Sequence, residues 1–338
     1  LAGDGVLSGM GVSAQGSPDM TVAVAAGMVR IGGYFAYYAG ANVTITAADS
    51  TNPRIDLICC DYNGTVSRVG GAAAVRPVPP VIPANSIQLA QVYVAAGVTS
   101  IVAGAIKDKR PVAVDFYDVF ADFLGSSLSN TAATSAGSIG ECGWTLSGTT
   151  AAPTFQTSNA GHPGILRSAT GTTSGNNCRF HFGGASNSAI ILPAELRRMT
   201  FVVAIPTITT GAWKMGFGVD LNDAASSSLG TAGAFVEFVP ASSAKWAYVT
   251  RQASTSTRNV DTGADVVAGN WYKFDLIRKQ NGNWQFLKND ALAFEHSANQ
   301  PTTAGNVGTL THTLTAAARN MDHDLFGMNF APSAARYT

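Results

Sequence analysis

Along the first third of the chain, apolar and polar positions alternate in short runs. MTVAV (20–24), MVRIGGYFAYY (28–38), VTIT (43–46), RIDLICC (54–60) and TVSRV (65–69) are β-branched or aromatic and are cut apart by Gly, Asn, Asp and Pro, which predicts strands. In RIDLICC the set Ile55, Leu57 and Cys59 alternates with Asp56, Ile58 and Cys60, so both faces are largely apolar and both are expected to be covered. Asn63-Gly64 follows, a strong hairpin signal because both central positions of a type I′ turn need positive φ. Residues 54–69 therefore read as one hairpin, with Arg54 and Asp56 near its open end. Pro77, Pro79, Pro80 and Pro83 then forbid a regular ladder and favour an extended, polyproline-like path. Ile87 to Val94 is a further strand, and IKDKRP (106–111) closes the unit.

The period changes at residue 114. In VDFYDVFADFL, Phe116, Val119, Phe120 and Phe123 fall at i, i+3, i+4 and i+7, with Asp115, Asp118 and Asp122 mostly opposite, which predicts an amphipathic helix over 114–124. Its bare phenylalanine stripe is a candidate for self-association. GSSLSNTAATSAGS (125–138) reads as a flexible linker. Strand patterns then resume in FVVAI (201–205), KMGFGVD (214–220), AFVEFV (234–239), WAYVT (246–250), WYKFDLI (271–277) and NWQFLKN (283–289). Lys279-Gln-Asn-Gly282 and Lys288-Asn-Asp290 are hairpin signals. Short strands without intervening helices predict a two-sheet sandwich, so the fold class is all-β. The expected domains are a small β domain over 1–113, a helix and linker over 114–138, and a β-sandwich over 139–338.

Composition narrows the function. The chain has 338 residues, of which only 12% are charged, and 21 basic residues balance 21 acidic ones. A zero balance gives no electrostatic case for nucleic acid or an anionic membrane, and no run approaches the ~18 apolar residues of a spanning helix. The start, LAGDGVLSGM, lacks the basic end and apolar core of a signal peptide, and Leu1 is expected not to be the true beginning. Cys59 and Cys60 point to opposite faces of a strand and have no CxxC or His partner nearby, so they read as small buried residues rather than a metal or redox site. Cys142 and Cys178 could pair in space; the sequence leaves this open.

Chemistry-bearing patterns are few. Glycoside hydrolysis needs two carboxylates ~5–10 Å apart, yet Glu237 and Asp275 stand alone in their strands. Asp322 and Asp324 flank His323, which places two carboxylates on one strand face; they are weak candidates for a divalent cation, with a polar strand edge as the plainer reading. The histidines at 162, 181, 296, 312 and 323 are scattered, and neither HExxH nor GxSxG occurs. No cofactor is implied. Aromatic rings stack on sugar faces, so Trp213, Trp246, Tyr248 and Trp271 are glycan-binding candidates, against the alternative that each tryptophan is core. Tyr272, Phe274 and Leu276 are expected inward, and Trp271, Lys273 and Asp275 outward.

Two segments resemble known modules. GVLSGMGVSAQGSPDMTVAVAAGMVRIGG (5–33), ADSTNPRIDLICCDYNG (48–64) and PVPPVIPANSIQLAQVYVAAGVTSI through IKDKRP (77–111) resemble a domain of minor tail, baseplate and fibre proteins of tailed bacteriophages. That resemblance makes Arg54 and Asp56 fixed elements of a structural module. LRRMTFVVAI (196–205), WKMGFGVD (213–220), GAFVEFV (233–239), KWAYVT (245–250) and AGNWYKFDLIRKQNGNWQFLKND (268–290) resemble the concanavalin-A-like jelly-roll domains of phage fibres. Together they imply a virion protein, assembled in the host cytoplasm and displayed outside, commonly a homotrimer beside other virion proteins. The expected function is non-enzymatic attachment to host-surface glycan. A capsid decoration or head-fibre protein that braces the shell is the alternative, and a glycan depolymerase is a third.

Overall fold

The computed structural model describes residues 3–113, 119–121, 137–139, 144–148, 154–156, 161–162, 164–182, 191–208, 210–218, 232–253, 255–315 and 317–330. Two compact units emerge: Leu1–Phe116 with Arg278–Asn281, and Tyr117–Ile277 with Gly282–Thr338. The described residues are strands and loops with one short 3-10 turn, Ala103–Ala105.

The first unit carries β1 (Gly5–Gly9), β2 (Val12–Ala14), β3 (Thr21–Val24), β4 (Gly27–Ile31), β5 (Tyr34–Tyr38), β6 (Ala41–Thr44), β7 (Arg54–Asp61), β8 (Val66–Val69), β9 (Ser86–Val94) and β10 (Ile106–Asp108). They form three sheets, ordered β1-β4-β5, β2-β3-β6 and β10-β9-β7-β8. The apolar core gathers Val22, Val24, Val29, Ile31, Ile58, Cys60, Leu89 and Val92. Residues 28–38 do not form one strand. Gly32 and Gly33, both at positive φ, make the two-residue loop between Ile31 and Tyr34, the geometry of a type I′ turn. The β7–β8 hairpin forms with Cys60 opposite Val66, but its turn differs from the expected type I′. The Gly64 N–H donates to the Asp61 carbonyl and only Gly64 takes positive φ, while the Asp61 carboxylate accepts from the N–H groups of Asn63 and Thr65. The Asp61 side chain thus selects a three-residue loop.

The opening strand of that hairpin holds a buried ionic network. Asp56 is fully buried and meets Arg54 at 3.0 Å and Arg68 at 2.8 Å. Arg54 also donates to the carbonyls of Ala47 and Thr46, and Asp56 accepts from the Gly71 N–H. The contacts to Thr46, Ala47 and Gly71 tie loops to the strand and Arg68 ties it to β8, so the pair serves the fold.

The second unit is a sandwich. One sheet contains β11 (Val119–Ala121), β14 (Thr154–Gln156), β15 (Ile165–Ala169), β17 (Leu196–Ala204), β22 (Trp271–Arg278), β23 (Trp284–Lys288), β24 (Ala291–His296) and β26 (Asn320–Phe330). The other contains β12 (Gly137–Ile139), β13 (Trp144–Gly148), β16 (Asn177–Phe182), β18 (Gly211–Gly218), β19 (Ala232–Phe238), β20 (Ala247–Gln252), β21 (Thr255–Val260) and β25 (Asn306–Thr313). Each sheet mixes strands distant in sequence, in the orders β14-β15-β26-β17-β22-β23-β24 and β12-β13-β16-β25-β18-β19-β20-β21. This is an all-β jelly-roll-type sandwich. Phe201, Phe274, Leu276, Trp284, Phe286 and Phe326 of the first sheet pack on Phe180, Trp213, Met215, Phe217, Val236 and Tyr248 of the second. Lys288-Asn-Asp290 gives the expected tight hairpin, with Asn289 and Asp290 both at positive φ.

The helix expected over 114–124 is corrected at its centre. Val119–Ala121 is strand β11, antiparallel to Phe326–Met328 of β26. Strand β15 covers only Asn320–His323 on that edge of β26, and the remaining ladder positions recruit β11. Ladder pairing outweighs a three-turn amphipathic period. At Val119 and Phe120 the helical stripe therefore does not exist, and Phe116 and Phe123 lie outside the described residues. Gly137 and Ser138, expected in the linker, open strand β12.

Candidate functional site

The aromatic candidates separate cleanly. Trp213, Trp246 and Tyr248 are each fully buried in the sandwich core. Trp246 lies edge-on to Phe274 at 4.8 Å, and the Trp213 Nε1–H donates to the Asn320 carbonyl at 3.0 Å. A sugar needs an open ring face, so these three are corrected to core residues. Strands β18 and β19 are buried along both faces, which is why alternation alone did not tell which side Trp213 would take.

Trp271 keeps partial exposure. Ladder register sets its neighbours. Thr154 of β14 pairs with Arg167 of β15, Arg167 with Asp322 of β26, Asp322 with Ala204 of β17, and Ala204 with Trp271 of β22. Five adjacent strands thus place one row across the outer sheet face, ~19 Å long at ~4.8 Å per strand. His323, between the two aspartates, points the opposite way and is fully buried against Phe180 and Phe326. The expected placement of Asp322 and Asp324 on one strand face is thereby met, and a bulge after Val202 falls beside Asp324.

Charge pairs complete the row. Arg167 donates through Nε and Nη2 to the two oxygens of Asp322 at 2.6 and 2.7 Å, a bidentate fork that raises the guanidinium pKa. His162 Nδ1 lies 2.8 Å from the Asp324 carboxylate, and its ring stacks on Trp271 with centroids 4.1 Å apart and planes at 17°. His162 therefore joins the two separate sequence candidates, the tryptophan and the acidic pair. Nothing in its local sequence marks it; only the fold brings residues 162, 271 and 324 together. Arg167 was missed for the same reason, since its partner is 155 residues away.

The remaining candidates hold other places. Glu237 is paired with Arg258 at 2.7 Å on the second sheet. Asp275 is fully buried, accepting from Arg198 Nε at 2.9 Å and from the Thr200 hydroxyl; its neighbour Lys273 reaches the Asp290 carboxylate at 2.5 Å. Trp271 and Lys273 take the outer face as expected, while Asp275 on the same face is enclosed. No group of three or more potential metal ligands is gathered among the described residues. Cys59, Cys60 and Cys178 are buried free thiols, and Cys142 lies outside the described residues.

The stretch that carries His162, Arg167, Trp271, Asp322 and Asp324 is similar to a known family. The family described as SO2946-like, C-terminal domain, matches residues 161–324, a little under half of the chain. No curated protein matches the chain. Among solved structures, the protein of unknown function SO2946 from Shewanella oneidensis MR-1 aligns with a TM-score of 0.45 at 15% identity, over 64% of this chain and 86% of its own. A Bacillus licheniformis β-glucanase aligns at 0.39 and 8%, over 62% and 97%. The carbohydrate recognition domain of Emp46p aligns at 0.37 and 8%, over 55% and 87%. The sandwich assignment rests on this chain's own strand pairing.

Proposed function

We propose that this chain is a non-enzymatic virion protein of a tailed bacteriophage, whose sandwich attaches to host-surface glycan at the outer face around Trp271. The observation that carries the binding role is the row itself. A partly exposed indole, backed by His162 and Asp324, stands one small residue, Ala204, from the Arg167–Asp322 fork. An apolar ring beside planar donors and acceptors is what a sugar's two kinds of surface require. The virion setting is supported by the resemblance of residues 5–111 to tail, baseplate and fibre modules. Within that setting, the chain works beside other virion proteins and its own copies.

Attachment without cleavage is supported by the state of the carboxylates. Asp322, Asp324, Glu237 and Asp275 each sit against a cationic or histidine side chain. A bracing role on the capsid is the second reading, favoured by the burial of Trp213, Trp246 and Tyr248. Retention of the intact chain on arrayed bacterial envelope polysaccharides tests the proposal. Binding that is lost in Trp271→Ala, with no sugar released, supports it. Absence of retention on every polysaccharide favours bracing, and reducing sugar appearing in solution favours a depolymerase.

A further inference from the structure

The charges on the outer sheet face bear on which sugars it accepts. In the ladder Asp322 lies between Arg167 and Ala204, and Ala204 pairs with Trp271. From Arg167 on β15 to Trp271 on β22 is three strand steps, ~14 Å at ~4.8 Å each, more than one sugar ring spans. A glycan that stacks on Trp271 and reaches Arg167 therefore passes over the Asp322 carboxylate, with Asp324 on the same strand face.

Among the described residues, the charges around this row are already paired. Arg167 holds both oxygens of Asp322, and His162 sits on Asp324. Lys273, two residues from Trp271 on the same face, lies between two carboxylates, Asp290 at 2.5 Å and Asp275 at 3.7 Å. Asp275 is also held by Arg198. In the segments flanking Trp271, Lys288 pairs with Asp261 and Lys245 with Asp265. Arg319, just before β26, is buried and donates to the carbonyls of Thr210 and Ala318. Glu295 lies farther off on β24, opposite Gln285, and accepts from its amide. Residues 142–166 and 199–213 contain no Asp, Glu, Lys or Arg. Near the row, Arg167, Lys273 and Arg198 thus meet four carboxylates. The face is balanced when His162 is protonated and one charge negative when it is neutral; it never turns positive.

That pairing selects the ligand's chemistry. A sugar carboxylate would have to pull Arg167 or Lys273 from the acid each holds, beside Asp322 and Asp324, and like charges set together in this way suppress a wrong partner. A sugar ammonium would have to pull a carboxylate from its cation. An uncharged hydroxyl breaks no pair. It both donates and accepts, so it can add to the carboxylate oxygens and to the Arg167 Nη1–H groups, which have no partner among the described residues. We infer that the row takes an uncharged glycan and that Asp322 is the residue that keeps acidic glycans out; the inference rests on the glycan-binding reading above.

The test sorts arrayed envelope polysaccharides into neutral, uronate-bearing and amine-bearing sets, with dextran, alginate and chitosan as purified representatives. Retention of the full chain is measured at about 0.05 and about 0.5 M NaCl, since salt screens exposed charges. Retention at least about tenfold stronger on a neutral polymer than on any charged one, and changing less than about twofold with salt, is expected. Asp322→Asn, nearly isosteric, leaves Arg167 without its carboxylate. It should raise retention on alginate at least about fivefold in a salt-sensitive way, and adding Arg167→Met should remove the gain. Strongest retention on a uronate or amine polymer, collapsing with salt yet lost in Trp271→Ala, would overturn the charge inference and leave sugar binding standing. No gain in an Asp322→Asn chain whose circular dichroism is unchanged would overturn the role of Asp322; if that variant does not fold, the wild-type comparison still decides the charge of the ligand. Absence of retention on every polymer, or retention that survives Trp271→Ala, removes the glycan-binding reading itself.

Discussion

Two regions of this chain use the same pair of residue types to different ends. In the first unit, Arg54, Asp56 and Arg68 make a network whose spare donors and acceptors end on backbone, at Thr46, Ala47 and Gly71. In the second, Arg167 and Asp322 make a fork whose side chains remain 27% and 11% exposed, one strand from the His162–Trp271 stack. Both start from an acid on a strand, with a basic partner at short range. What separates them is the third partner. Carbonyls of Thr46 and Ala47 and the Gly71 N–H tie the network to loops, whereas the fork stays partly open to solvent.

Breaking the buried network should give a large effect. Asp56→Ala leaves Arg54 buried without its carboxylate and is expected to cost about 3–5 kcal/mol of stability, read as a lowered urea midpoint. Arg167→Met should cost under about 1 kcal/mol, since it removes a part-exposed pair. Equal losses in the two variants would erase the contrast.

Acid should act on the second unit more than the first. Burial holds His323 down at about 3 and His181 at about 4, and it also lowers His296. A histidine with a depressed folded pKa stays neutral while the unfolded chain takes up a proton. Stability is thus fully present above the unfolded value of ~6.5 and falls as pH drops from there toward the folded values. Each such histidine contributes a slope of up to ~1.4 kcal/mol per pH unit. Thermal unfolding followed by tryptophan fluorescence between pH 7 and 4.5 checks this, because all five tryptophans lie in the second unit. His323→Phe should flatten the slope.

Smaller effects test the proposed binding face. Trp271→Ala is expected to leave the melting temperature within a few degrees while cutting retention on a bound polysaccharide at least tenfold. Trp213→Ala, in the core, should do the reverse and cost about 3–5 kcal/mol of stability. His162→Ala should weaken retention less than Trp271→Ala, because it removes the ring's support rather than the ring.

How much could be read in advance follows from what strands advertise. The runs at 21–24, 54–60, 201–205 and 271–277 declared themselves by branched and aromatic residues, and the Asn289-Asp290 turn by its chemistry. At residues 119–121 the helical period misled, because three ladder positions on β26 outweighed it. Trp271, Asp322 and Asp324 were visible as residue types, but no local pattern carries the register that sets His162 against two of them. Trp213 was ambiguous because a strand enclosed on both sides loses the polar alternation that marks a face.

Cys59 and Cys60 bear on how the molecule meets a change of redox surroundings. Burial pushes the Cys59 thiol up to about 11, and Cys60 and Cys178 up to about 12. Only a thiolate exchanges disulfides or takes up oxidant at speed, and near neutral pH these three sites hold almost none. The strand that carries the adjacent pair can therefore pass between reducing and oxidising surroundings with its covalent structure unchanged, a form of shelf stability obtained by enclosure alone.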